Sequence, residues 1–217
     1  IYLNVKLGYD VQNHWYASES GKYSTTPSGQ FWTGVQSVIS LSEEHVLTAG
    51  LDYRLNDVDF ENWSLSNWED IHSRTKKNYS MSGEVGTFGL YVQDEWTLLD
   101  NLSLFLGARM DYWSTRDGTH TFWDSGSSSY ITEDFSTENE NAFSPKASVV
   151  YKPVEKTTLR ASVGTAFRGP TANDLYKDWS YGSKLYRGNP DLTPENNFAW
   201  EVGVEQKAWE GAIVKLT

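Results

Sequence analysis

The 217 residues suit one domain or part of a larger one, and the absence of cysteine excludes disulfides, thiolate metal sites and cysteine nucleophiles. A net charge of −11 argues against nucleic acid as a partner. A mean hydropathy of −0.57, with no apolar run near the ~18 residues a membrane helix needs, excludes spanning helices, though not spanning strands, in which only alternate residues meet lipid.

Ile1, Leu3, Val5, Leu7, Tyr9 and Val11 alternate with Tyr2, Asn4, Lys6, Gly8, Asp10 and Gln12. That period of two predicts a strand with one apolar face. The chain thus opens inside a strand pattern, not on a basic segment followed by an apolar run, so a leader is expected upstream. Phe31, Val35, Ile39 and Leu41 predict a second strand over 31–41, and Leu47, Ala49, Leu51, Tyr53 and Leu55 a third over 45–56. Phe88, Leu90, Val92 and Trp96 mark the fourth, in 86–98. Leu102, Leu104, Leu106, Ala108, Met110 and Tyr112 mark the fifth, in 102–113. Segments 144–152, 157–168 and 196–207 repeat the pattern, and the residues from Ala212 read as a ninth strand cut short.

Short links (Ser42–Glu44, Leu99–Asn101, Val154–Lys156, Trp209–Gly211) alternate with long ones at 18–30, 57–85, 114–143 and 169–195. Tight turns on one side and long loops on the other are the habit of outer-membrane barrels, whose strands also have this length. With the long loops outside, Trp15, Phe31, Tyr53, Phe88, Tyr112, Phe167 and Trp200 fall at the outer strand ends, and Trp96 and Tyr151 at the inner ends. Such rings form girdles at the headgroup level. The opposite face carries Asp52, Arg54, Gln93, Glu95, Arg109, Asp111, Lys146, Arg160, Glu201 and Glu205, which predicts a hydrated interior or a polar plug and not a dry core. The expected fold is all-β: an antiparallel transmembrane β-barrel, partial, with about nine up-and-down strands of a larger barrel.

Several boxes stand in order: Tyr91-Val92-Gln93-Asp94-Glu95-Trp96, Ser144-Pro145-Lys146-Ala147-Ser148, Phe167-Arg168-Gly169-Pro170, Leu175-Tyr176, Gly188-Asn189-Pro190-Asp191-Leu192-Thr193-Pro194-Glu195 and Glu201-Val202-Gly203. Together they resemble the barrel of the TonB-dependent outer-membrane receptors, over most of 45–207, with Gly169 where that family usually has Ala. Pro170 lacks an N–H and suits a rim where strand pairing stops, and Gly188–Asp191 is turn chemistry.

The resemblance implies a barrel of about 22 strands closed around a plug, of which residues 1–217 would be part, the plug domain and its TonB-contacting segment lying outside them. It implies a multi-pass protein of the bacterial outer membrane, in contact with lipid and lipopolysaccharide. Such a receptor binds a scarce nutrient at the extracellular loops and imports it with energy supplied through TonB. No bond chemistry, cofactor or nucleic acid enters that mechanism, and no Gly-x-Ser-x-Gly elbow or other nucleophile motif points to an enzyme.

Trp63, Trp68, Tyr79, Trp123, Tyr130, Trp179, Tyr181 and Tyr186 in the long links are the candidate ligand contacts, because rigid rings give large contact area at low entropic cost. Packing within the loops is the competing role for each. Arg168 at the rim could bind ligand, a lipopolysaccharide phosphate or a neighbouring carboxylate. A ferric siderophore is the first expectation for the ligand, with cobalamin next. No His lies between Phe167 and Leu192, which counts against haem, and His14, His45, His72 and His120 show no metal-ligand spacing. Asp117, Asp124, Glu133, Asp134, Glu138 and Glu140 against Arg116 alone would repel an anion. They could hold Ca²⁺, although surface solvation explains them as well. The alternatives are a passive porin and a soluble Trp-rich carbohydrate-binding module.

Overall fold

The computed structural model describes residues 1–181 and 184–217, leaving out the side chains of residues 180 and 181. The described elements are β1 (Tyr2–Ser18), β2 (Lys22–Ser40), β3 (His45–Leu65), β4 (Arg74–Leu99), β5 (Leu102–Asp124), β6 (Ser129–Asp134), β7 (Asn139–Val154), β8 (Thr157–Arg168), α1 (Ala172–Tyr176), β9 (Trp179–Tyr181), β10 (Lys184–Tyr186), β11 (Glu195–Trp209) and β12 (Ala212–Leu216). One antiparallel meander runs β1-β2-β3-β4-β5-β7-β8-β11-β12, matching the nine expected strands one for one, while β6 pairs the top of β5 and β9 pairs β10.

The register keeps the alternation of the sequence. Val5 faces Val35, Leu51 faces both Val35 and Leu90, and Leu106 faces Ala147, so one continuous face carries the aliphatic rows. That face is open, from Leu51 at 40% to Trp200 at 72% exposure. An apolar face of this extent has no place in water and suits hydrocarbon. The inner rows converge: Asp10 and His14 of β1 line the same cavity as Lys146 of β7 and Ala166 of β8, so the sheet is curved about its polar side.

The long links are the main departure from expectation. Residues 18–30 form a hairpin in which Ser18 pairs with Lys22 across a turn closed by Gly21 at φ 71°. β3 and β4 run on together to Leu65 and Arg74, and β5 continues to Asp124 beside β6. The alternation hid this because its sense reverses above the lipid belt. In β3 the outward row changes from Leu51, Tyr53 and Leu55 to Asp57, Asp59 and Glu61, and the inward row from Asp52 and Arg54 to Val58 and Phe60. A face that leaves hydrocarbon for water must become polar, and the inner side can then hold the apolar set. There Met81, Val85 and Trp113 form a buried core with Ala172, Leu175 and Tyr176, backed by Val58, Phe60, Tyr79, Phe135 and Phe167. Phe167, expected in the outer girdle, is half-buried against this core instead.

Candidate functional site

Beyond Arg168 the chain turns inward. Gly169 lies against the Trp113 ring, and a Cβ there would overlap the indole. Thr171 then caps α1 reciprocally: its Oγ1 accepts from the Asp174 N–H at 3.3 Å, and Asp174 Oδ2 accepts from the Thr171 N–H at 2.9 Å. The Thr171 hydroxyl, which donates to Asp174 Oδ2 at 2.7 Å, and then the Thr171 N–H hold the Asp174 carboxyl below the usual range. The five-residue helix aims Ala172, Leu175 and Tyr176 at the inner core, and the Tyr176 ring lies across Gly83 and Gly118, where side chains would collide with it. Burying Leu175 and Tyr176 contributes about 1.5–3 kcal/mol each.

The return of this segment explains the remaining boxes. The Tyr79 hydroxyl donates to Tyr176 O at 2.7 Å and accepts from the Asp178 N–H at 2.9 Å, tying the end of α1 to β4. Burial pushes the Tyr79 phenol up to about 12. Gly188 N–H donates to Asp178 Oδ1 and Asn189 N–H to Asp174 O, each at 3.0 Å, while Asn189 Oδ1 accepts from the Asp191 N–H at 3.1 Å. The Gly-Asn-Pro-Asp box is therefore the clasp that ties residues 188–191 back to residues 174–178. Lys177 lies 4.1 Å from the Phe60 ring, and burial lowers its pKa. Phe135 stacks on Tyr176 at 5.0 Å, and His120 sits edge-on to Phe135 with Nε2 2.8 Å from Glu133.

The expected contact residues do not form a single cluster. Trp179 and Tyr186 stack at 4.2 Å and 8° on the β9–β10 hairpin, both about half exposed, while the Tyr181 side chain lies outside the described residues. Trp123 meets Tyr130 edge-on at 5.1 Å across β5–β6, with Lys76 4.0 Å over the indole. Trp63 donates to Glu61 at 2.9 Å beneath the cations of Arg74 and Lys77, and Trp68 is exposed in the 66–73 turn. Tyr79 is half-buried with its hydroxyl engaged as above. Arg168 is exposed on the cavity rim. Sequence reasoning missed the inner aromatic group of Phe60, His120, Phe135 and Tyr176. The reversal of alternation after residue 56 was the signal for the first of these.

The cavity on the polar side measures about 1120 Å³. On its wall Arg109 bridges Asp52, at 2.6 and 2.9 Å, and the buried Asp111, at 2.7 to 3.0 Å. This fork geometry satisfies both carboxylates. Arg54, Lys146 and Arg168 also line the cavity and make no ion pair among the described residues, and none of the six acidic residues between 117 and 140 lines it. Among the described residues no group of three or more His, Asp or Glu is close enough to hold a metal ion, so the Ca²⁺ expectation for that acidic stretch finds no support.

Residues 2–217 match the model of the family described as TonB dependent receptor-like, beta-barrel. An iron-regulated outer membrane virulence protein of Vibrio cholerae is 27% identical over 154 residues, covering 69% of this chain and 20% of its own. A ferric enterobactin receptor of Pseudomonas aeruginosa is 24% identical, covering 82% of this chain and 23% of its own. The chain thus spans about a fifth of the curated relatives it matches. Among solved structures, the copper transporter OprC superposes with a TM-score of 0.72 at 14% identity, over 95% of this chain and 34% of that one.

Proposed function

This chain belongs to the TonB-dependent receptor-like β-barrel family of the outer membrane, and we propose that its protein is an active-transport receptor that captures a scarce nutrient outside the cell and imports it with TonB-supplied energy. The observation that carries this reading is the inward clasp of residues 169–192. It joins the stacked Trp179 and Tyr186 to the rim at Arg168, whose cavity has Arg54, Lys146 and Arg168 without ion-pair partners among the described residues, against Asp10 and Asp57 likewise unpaired. A ferric siderophore is the ligand class that fits first: many such chelates are anionic, and two relatives carry iron in their names. Cobalamin is second. Trp63, Trp68, Trp123, Tyr130, Trp179, Tyr181 and Tyr186 stand as contact candidates on the extracellular side, with Arg168 at the rim and Tyr79 acting through the clasp.

Among the described residues the outer edges of β1 and β12 have no strand partner, and unpaired strand edges are not tolerated in hydrocarbon. We therefore place the chain within a larger barrel domain, with further strands and a plug that meets TonB. The test is uptake of ⁵⁵Fe-labelled ferric siderophores by cells carrying the full-length protein, with and without TonB. Saturable, TonB-dependent uptake, lowered by Trp179→Ala or Tyr186→Ala, supports the reading. Flux that rises linearly with concentration and ignores TonB makes the protein a porin.

A further inference from the structure

We infer that His45, Asp94 and Trp96 form a site for the primary ammonium of phosphatidylethanolamine in the periplasmic leaflet. The outward row of β4 runs Phe88, Leu90, Val92, Asp94, Trp96, so a carboxylate interrupts the lipid-facing belt one strand step inside the inner aromatic level. Its cross-strand neighbours are Leu47 on β3 and Leu106 on β5. An ionisable group in such a place is costly without a partner, and marks a site when it persists.

The cluster is only partly closed on itself. Asp94 Oδ2 lies 2.8 Å from His45 Nδ1, while Oδ1 is buried with no partner among the described residues, so a headgroup meets the cluster through His45, about a third exposed, and Trp96. His45 stacks on Trp96 at 5.3 Å and 19°, at the periplasmic end of both strands. With the Nδ1 proton given to Asp94, Nε2 keeps a lone pair that accepts from an ammonium. The face of Trp96 favours the same cation.

The surroundings choose its sign. The flanking turns carry Glu43, Glu44 and Asp100 and no Lys or Arg. An anionic headgroup is repelled there, and a zwitterionic lipid offering an amine is attracted. His45 and Trp96 lie at the headgroup level and relay the deeper charge of Asp94 to it.

The test is native mass spectrometry of the full-length protein exchanged into detergent with defined phosphatidylethanolamine and phosphatidylglycerol. The unaltered protein is expected to retain phosphatidylethanolamine over phosphatidylglycerol by roughly fivefold to tenfold. Asp94→Asn should bring the ratio near one, and Trp96→Leu should lower it. His45→Phe keeps a ring against Trp96 and serves if the Asp94 variant does not fold, as judged by heat-modifiable mobility. A ratio near one in the unaltered protein, or one that all three substitutions leave unchanged, overturns the site.

Discussion

Tyr79→Phe removes one oxygen and leaves the ring against Phe60 at 5.9 Å and His120 at 6.0 Å. What it breaks is the double link to Tyr176 O and the Asp178 N–H. Two main-chain groups half-buried beside the core are left unpaired, each worth about 1–3 kcal/mol when fully shielded. Water can reach this rim, so about 2 kcal/mol in all is the expected cost, some thirtyfold in the opening equilibrium of residues 171–192 at ~1.4 kcal/mol per decade. The barrel wall does not depend on this link and should keep its stability. Hydrogen exchange followed by mass spectrometry on the full-length protein is the assay. Exchange should quicken by roughly that factor in peptides covering 172–192, with β7 and β8 unchanged. Unaltered exchange in 172–192 would refute the clasp, and faster exchange throughout the sheet would show that the hydroxyl supports the wall instead.

Three further outcomes follow from the same contacts. Arg109→Met leaves the buried Asp111 uncompensated and Asp52, 40% exposed on the cavity wall, free to solvent, at a screened cost of about 1–3 kcal/mol; the folded fraction after refolding into detergent should fall, and Asp111→Asn in the same chain should recover part of it. Gly169→Val drives a side chain into the Trp113 ring and should cost about 1–3 kcal/mol, read as protease sensitivity near residue 177 in a barrel that still shifts on heating. The clasp should also have a pH window. Asp174 is depressed in the folded state, so its contribution is complete above the ordinary carboxylate range and is lost as pH falls below that range through the lower folded-state value. Tyr79 is raised from 10.0 to about 12, so its contribution holds below pH 10 and is lost between 10 and 12. Exchange in 172–192 that is flat from pH 3 to 12 after correction for intrinsic rates contradicts both assignments.

The strands that cross lipid were legible because hydrocarbon on one side and a hydrated interior on the other impose a strict period of two. That is why Leu47–Leu55 and Leu102–Tyr112 could be placed from residues alone, and why Trp96 and Tyr151 could be set at the inner rim. The boxes around Phe167, Leu175 and Gly188 were legible as a resemblance, and the relation to the receptor family follows from them. What they do was decided by the tertiary structure. Whether Leu175 and Tyr176 pack inward, and against which strands, depends on Met81, Val85 and Trp113, which lie 60 to 95 residues earlier in the chain. Nothing local encodes a contact at that separation. The strand extensions above the membrane were missed for a related reason: alternation reports only which face meets apolar surroundings, and at residue 57 those surroundings change sides. His45 and Asp94 are unremarkable in sequence, 49 residues apart. Only the register of β3 against β4 brings them together at 2.8 Å on a face that looks into lipid.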